Sequence, residues 1–371
     1  MRASNSYRSG LCRVGGLALC LTLAGCDTDF EKPSAVRGIR VLAVRSDPAS
    51  GVPGTSVKLE LLAADGGAPA AGRARTLQLL WLAGCNNPPT RQFYGCFPLL
   101  HAAASLIDTK VISTPASRFP PGIFKATSFE LSDASSTGFE FVVPQDILTS
   151  AQRSSVDAVH YGVSYAFFAL CAGELRTNPK ITDGIPFECF AADGSKPLGY
   201  RDFVTGFSTI YTYDGATNQS PELKGLNFQG TALSHLAEPC SSDADCAGLV
   251  ESDAGFDAGC APSGVCSPRV RPCRGKDCSK FLVEPLVDRS VAEALPEGGS
   301  EVVWTSFYST DGSFDDDTLL VNDRHAGFLG NRGTSFKPPS DAVGAVNVWV
   351  TLNDQRGGAT WQSFEVLVSE P

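Results

Sequence analysis

Cysteine and histidine are the residue types here best suited to nucleophilic or metal chemistry, and the chain has thirteen of the first and four of the second. His101, His160, His235 and His325 fall in four separate segments, with no H-E-x-x-H and no close pair to seed a metal or hydrolase site. No G-x-S-x-G nucleophile elbow and no C-x-x-C redox pair occurs. Asp311 to Asp317 (DGSFDDD) is the richest oxygen-donor stretch, and Asp311, Asp315 and Asp317 are its weak calcium candidates. The stretch lacks the D-x-D-x-D-G order of an EF-hand, so a solvated acidic loop is the expected state. No cofactor and no catalytic residue is therefore expected, and the chain reads as a non-enzyme. Trp81, Trp304, Trp349 and Trp361 could stack on sugars, but three lie within strand-like apolar runs and Trp361 begins another, so burial between sheets is expected.

The N-terminus carries a different chemistry. Arg2, Arg8 and Arg13 precede an uncharged apolar run at 14–25, a pattern that reads as a secretory signal too short to span a bilayer. The run ends Leu23-Ala24-Gly25-Cys26, which resembles the lipobox of bacterial lipoproteins. The resemblance implies cleavage after Gly25, a thioether-linked diacylglycerol on Cys26, and an acyl chain on its new amino group. Several acyl chains together anchor stably where one does not. The membrane, reached through this lipid, is the first partner expected. Residues 26–35 read as a polar lipidated tether. Asp27 after the cysteine marks inner-membrane retention in enterobacterial lipoproteins; that rule is not uniform across bacteria, and the outer membrane is favoured over the inner.

Removing Cys12 and Cys20 with the signal and Cys26 with the lipid leaves ten cysteines, an even number suited to disulfides in an oxidising compartment. Spacing suggests Cys85–Cys96 and Cys171–Cys189 as local staples. The other six crowd into 240–278, where apolar residues are too few for a core. Six cysteines allow fifteen connectivities, of which Cys240–Cys260, Cys246–Cys266 and Cys273–Cys278 are favoured. Zinc is disfavoured by the absence of C-x2-C pairs and of histidine in the cluster.

These residues need elements to carry them. Short apolar runs broken by Gly, Pro, Asp and Asn predict strands at 36–45, 56–63, 76–83, 138–143, 161–171 and 203–213. After a turn-rich boundary at 214–221, further strands are predicted at 223–228, 280–287, 301–308, 345–352 and 361–368. Helical turns are expected only at 99–107 and 144–152. The fold class is mainly β, as two antiparallel sandwiches. The opening R-V-L-A-V-R-S-D-P-A-S-G-V-P-G-T-S-V-K-L (40–59) and the closing W-V-T-L-N-D-Q-R-G-G-A-T-W-Q-S-F-E-V (349–366) resemble the first strands and last hairpin of bacterial immunoglobulin-like domains. The layout, with C-S-S-D-A-D-C (240–246) and G-V-C (264–266), is similar to cell-surface lipoproteins abundant in myxobacteria. The expected organisation is a signal at 1–25, the tether, an immunoglobulin-like sandwich at 36–214, and a second at 215–371 interrupted by a disulfide-rich insert at 239–279.

The formal charge of −10 disfavours nucleic acid as a partner. The function expected is that of a lipid-anchored cell-envelope protein serving binding, adhesion or structure, with a protein or glycan ligand at the cell surface. An envelope hydrolase or a carbohydrate-binding accessory whose site forms only in three dimensions is the alternative. If the Asp311–Asp317 loop is merely solvated, a calcium chelator leaves the melting temperature unchanged in differential scanning fluorimetry; a drop of several degrees would favour a bound ion.

Overall fold

The computed structural model describes residues 31–67, 75–131, 138–152, 159–251, 254–275, 278–295, 298–330 and 332–370. The signal stretch 1–25, Cys26 and the tether up to Phe30 lie outside the described residues. Among those described, no helix is long and apolar enough to cross a membrane.

The chain is mainly β. Its first half contributes β1 (Ile39–Asp47), β2 (Ser56–Asp65), β3 (Leu77–Asn86), β4 (Phe124–Phe129), β5 (Phe139–Val142), β6 (Tyr161–Cys171), β7 (Glu174–Thr177), β8 (Phe187–Phe190) and β9 (Phe203–Tyr213). Strand β2 shows why these segments pair. Val57, Leu59 and Leu61 alternate with Lys58 and Glu60, so a pleated strand buries one row and wets the other. A three-stranded sheet, β1-β2-β5, faces a four-stranded sheet, β4-β3-β6-β9. Val57, Leu59, Phe139 and Phe141 from one meet Leu77, Leu79, Trp81, Phe168 and Ile210 from the other in a single core. Trp81 is fully buried there, stacked on Phe139 with centroids 5.5 Å apart and edge-on to Phe168.

The opposite face of β3 and β6 is also apolar, through Leu80, Leu82, Val163, Phe167 and Ala169. A third layer covers it: helix α1 (Phe97–Ala104), short 3-10 turns and the β7–β8 hairpin, which supply Leu100, Val111, Leu175 and Phe187. Disulfides Cys85–Cys96 and Cys171–Cys189 pin this layer to the ends of β3 and β6.

The second half forms β10 (Gly225–Phe228), β11 (Thr231–Ala232), β12 (Asp257–Cys260), β13 (Cys266–Val270), β14 (Phe281–Leu286), β15 (Val303–Ser309), β16 (Ser313–Phe314), β17 (Thr318–Asp323), β18 (Gly327–Phe328), β19 (Thr334–Lys337), β20 (Gly344–Asp354) and β21 (Ala359–Val368), with a one-turn helix α2 (Leu233–Leu236). Five strands ordered β11-β10-β14-β19-β16 face seven ordered β12-β13-β21-β20-β15-β17-β18. Phe228, Val283, Phe314 and Phe336 pack on Val303, Phe307, Val348, Val350, Leu352 and Val366. Disulfides Cys240–Cys260, Cys246–Cys266 and Cys273–Cys278 close the cysteine-rich segment, in the connectivity favoured from sequence. That segment does more than interrupt the sandwich. Its β12–β13 hairpin extends the seven-stranded sheet through a short parallel contact, Arg269 beside Leu367 and Val270 beside Val368.

The tryptophans depart in part from expectation. Only Trp81 lies between facing sheets. On β20 the valines at 346, 348 and 350 take the inner row, and pleat alternation turns Trp349 to the outer face. There it packs with Tyr308 against Val36, Leu42 and Ala64, and Trp361 lies under the Arg45 guanidinium at 4.8 Å. Trp304 is half-buried on β15. The segment 144–152, where helical turns were expected, forms consecutive turns, with the Ile147 N–H on Pro144 and the Ser150 N–H on Asp146. Trp81→Ala should therefore cost about 3–5 kcal/mol, as for other large-to-small core changes. Trp361→Ala, which loses a half-buried ring and its contact with Arg45, should cost less, about 1–2 kcal/mol. Urea unfolding measures both.

Candidate functional site: a cleft beside strand β21

Strand β21 pairs with β20 along its whole length, from Ala359 opposite Asn353 to Val368 opposite Gly344. On its other side it pairs with β13 at only two residues. Upstream of that contact the strands separate, and a cleft of about 590 Å³ opens between them. Leu226, Leu233, Leu236 and Phe364 line its inner side, continuous with the core. Asn347, Trp349, Ser363 and Glu365 line its outer side, and Ser263 to Pro268 form the facing wall.

Register decides which backbone groups the cleft exposes. Thr310 donates its N–H to the Asn347 carbonyl, so odd-numbered residues of β20 point toward β15 and even-numbered ones toward β21. Even-numbered residues of β21 therefore satisfy β20, and odd-numbered ones face away. Ser369 shows that outward side in use, donating its N–H to Val270. The N–H groups of Ser363 and Glu365 are thus directed into the cleft, and that of Trp361 continues the row beyond it. The surrounding side chains are held: Gln362 Nε2 donates to the Leu223 carbonyl at 3.1 Å, Ser263 Oγ donates to the Glu365 carboxylate, and Lys224 pairs with Asp288. Hydrophobic walls, one tryptophan and a few fixed polar groups are the composition of a ligand site.

A second constellation lies at the turn joining β20 to β21. The Arg356 guanidinium bonds the carboxylates of Glu301 and Glu293 and, at 3.2 Å, the Thr217 carbonyl. Asp354 Oδ1 accepts from the backbone of Arg356 and Gly358 at 2.7 and 2.8 Å. Its Oδ2 accepts from Asn218 Nδ2 at 3.2 Å. Burial, seconded by the Glu301 charge, pushes the Asp354 carboxyl up to about 6. Asn218 Oδ1 is buried without a hydrogen-bond partner. Turning its amide over would let it accept from a protonated Asp354. Each buried charge here has a partner, as burial demands, and the cluster ties the β20–β21 turn to the loop that follows the first half. Sequence reading placed Asp354 only in a hairpin turn. An acid and a base two residues apart at a hairpin tip are ordinarily solvated, and nothing local to them signals burial.

The remaining residues singled out from sequence are dispersed. All ten cysteines from Cys85 to Cys278 are disulfide-bonded. The sulfurs of Cys240, Cys246 and Cys266 lie within 4.8 Å of one another, two disulfides side by side rather than three free ligands. Asp315 pairs with Lys280 at 2.7 and 2.9 Å, Asp311 accepts from the Gly312 N–H, and Asp317 is half-buried with Oδ1 unbonded. Among the described residues no three of His, Cys, Asp and Glu other than those cysteines converge on one point. His160 Nε2 meets the Leu148 carbonyl at 2.7 Å, and among the described residues no imidazole is hydrogen-bonded to a carboxylate.

No family model and no curated protein matches the chain. Among solved structures it is similar to red sea bream transglutaminase at 12% identity, covering 90% of this chain and 31% of that one, with a TM-score of 0.21. Latent PorU from Porphyromonas gingivalis follows at 13% identity, 91% and 24% coverage and a TM-score of 0.18. Trypsin-activated alpha-2-macroglobulin from Escherichia coli has 13% identity, 91% and 17% coverage and a TM-score of 0.19. The chain thus spans less than a third of the length of these structures.

The raised Asp354 carboxyl has a measurable consequence. The folded state holds this proton more tightly than the unfolded chain does. The stability contributed by this group is therefore greatest below the unfolded value near 4 and falls as pH rises to about 6, by up to about 3 kcal/mol. Asp354→Asn, which keeps an acceptor for the two backbone donors, should flatten that slope in denaturation series at stepped pH; an unchanged slope would assign it elsewhere.

Proposed function

We propose that the chain is a lipid-anchored, non-catalytic protein of the bacterial cell envelope, held through Cys26 and binding a surface ligand at the β21 cleft. The pairing of all ten cysteines of the folded region carries the reading. A fully oxidised set supports export to an oxidising compartment. It also leaves the cysteine of Leu23-Ala24-Gly25-Cys26 as the odd one, free for lipid once Cys12 and Cys20 leave with the signal. The outer membrane is the favoured site. The dispersal of the histidines supports binding over hydrolysis, because a hydrolase of the serine–histidine type needs its base within hydrogen-bond reach of an orienting carboxylate.

The test is phase partitioning. Wild-type protein should enter a detergent-rich phase, and Cys26→Ser should stay in the aqueous phase as the uncleaved precursor or as soluble protein. Equal partitioning of the two would remove the anchor. Mass spectrometry of the N-terminal peptide reads the diacylglycerol and the acyl chain directly.

A further inference from the structure

The geometry points to an extended peptide as the ligand of the β21 cleft, bound by adding a strand along the part of β21 that β13 leaves unpaired. The inference deepens the proposed binding role and rests on it for the place where the ligand is met. The backbone comes first. Ser363 and Glu365 direct two N–H groups into the cleft, and the N–H of Trp361 continues the same row just beyond its lining. Unpaired strand edges are templates for another strand, and their donors are satisfied in full only by one. A sugar could use one or two such groups but does not match a row repeating every second residue.

The walls then specify side chains. A strand added beside β21 continues its pleat, so alternate residues point to the two sides of the sheet. Inward residues would meet Leu233, Leu236 and Phe364, which calls for apolar side chains such as valine. Outward residues would meet Trp349, Asn347 and Glu365, which suits threonine or a basic residue. The net charge of −10 adds a general preference for a basic peptide. The paired stretch of β13 and β21 closes one end of the cleft, and it shows that this edge accepts a parallel neighbour.

The test uses full-length protein in detergent micelles and a fluorescein-labelled, capped heptapeptide of alternating valine and threonine with a terminal lysine. Fluorescence anisotropy should show saturable binding. The same peptide N-methylated at alternate amides, which cannot extend a sheet, should bind at least about tenfold more weakly. Ser363→Pro removes one cleft-facing N–H without touching the ladder to β20 and should weaken binding by about tenfold. Glu365→Lys should weaken the lysine-bearing peptide selectively. Should Ser363→Pro fail to fold, the paired peptides on wild-type protein still decide. Absence of saturable binding, equal binding of the N-methylated peptide, or an envelope glycan binding at the cleft where the peptide does not would overturn the inference. Failure of the anchor appears separately, in the partitioning of Cys26→Ser.

Discussion

Strand β6 is apolar on both faces, and the first half is arranged around the need to cover it twice. One row, including Ala166, Phe168 and Leu170, closes the core shared with β1, β2 and β5. The other, including Val163, Tyr165 and Phe167, would lie open to water if the fold stopped at two sheets. The long excursion between β3 and β4 and the β7–β8 hairpin exist to shield it. Neither has enough regular structure to hold itself in place, and the two disulfides at the ends of β3 and β6 supply what hydrogen bonding there does not. In the second half the same problem arises beside β21, where the cysteine-rich segment pairs with one end of the strand and leaves the rest of that side open.

The halves are joined by two interactions of opposite character. On one side Leu42, Ala64, Tyr308 and Trp349 form a small apolar seam, with Ala35 bridged to Ser309. On the other the Arg356 guanidinium donates to Glu293, Glu301 and Thr217 and lies over the Tyr213 ring of β9, while Asn218, alongside on Asp354, donates its backbone N–H to Ser50 Oγ. The apolar seam tolerates sliding, whereas desolvated charges do not tolerate loss of a partner.

Much of the architecture was legible because period-2 alternation survives wherever one face is wet. Tyr161–Cys171, covered on both faces, was legible instead as a continuous apolar run, and both it and Phe203–Tyr213 were read to the residue. Strands β12 and β13 were missed because disulfides replace the apolar residues that would announce them. Trp349 and Trp361 were placed in a core because aromatic residues in strand-like runs usually face one. Which row faces inward is set by the valines beside them, and which surface covers the outer row depends on packing between halves that no local window contains. The cleft was illegible for a similar reason. It is a property of where two strands part, and the parting residues are distant in sequence. Cys85–Cys96, Cys171–Cys189 and Cys273–Cys278 could be read from their short spacing, whereas Cys240–Cys260 and Cys246–Cys266 bypass nearer cysteines and spacing alone does not select them.

The position of β21 in its sheet has a kinetic side. It lies between β13 and β20, yet it follows both in the chain, and its Val366 and Val368 complete a core that Phe228 and Val283 also build. Strand β13 has to wait for a neighbour roughly a hundred residues downstream, and contacts of such long range form slowly. Strands of the first half also pair at long range, as Gln78 beside Cys171, but all their partners lie among residues 39–213, which emerge first. The second sandwich thus remains unfinished after the first has closed, with its apolar inner rows exposed to whatever escorts the emerging chain.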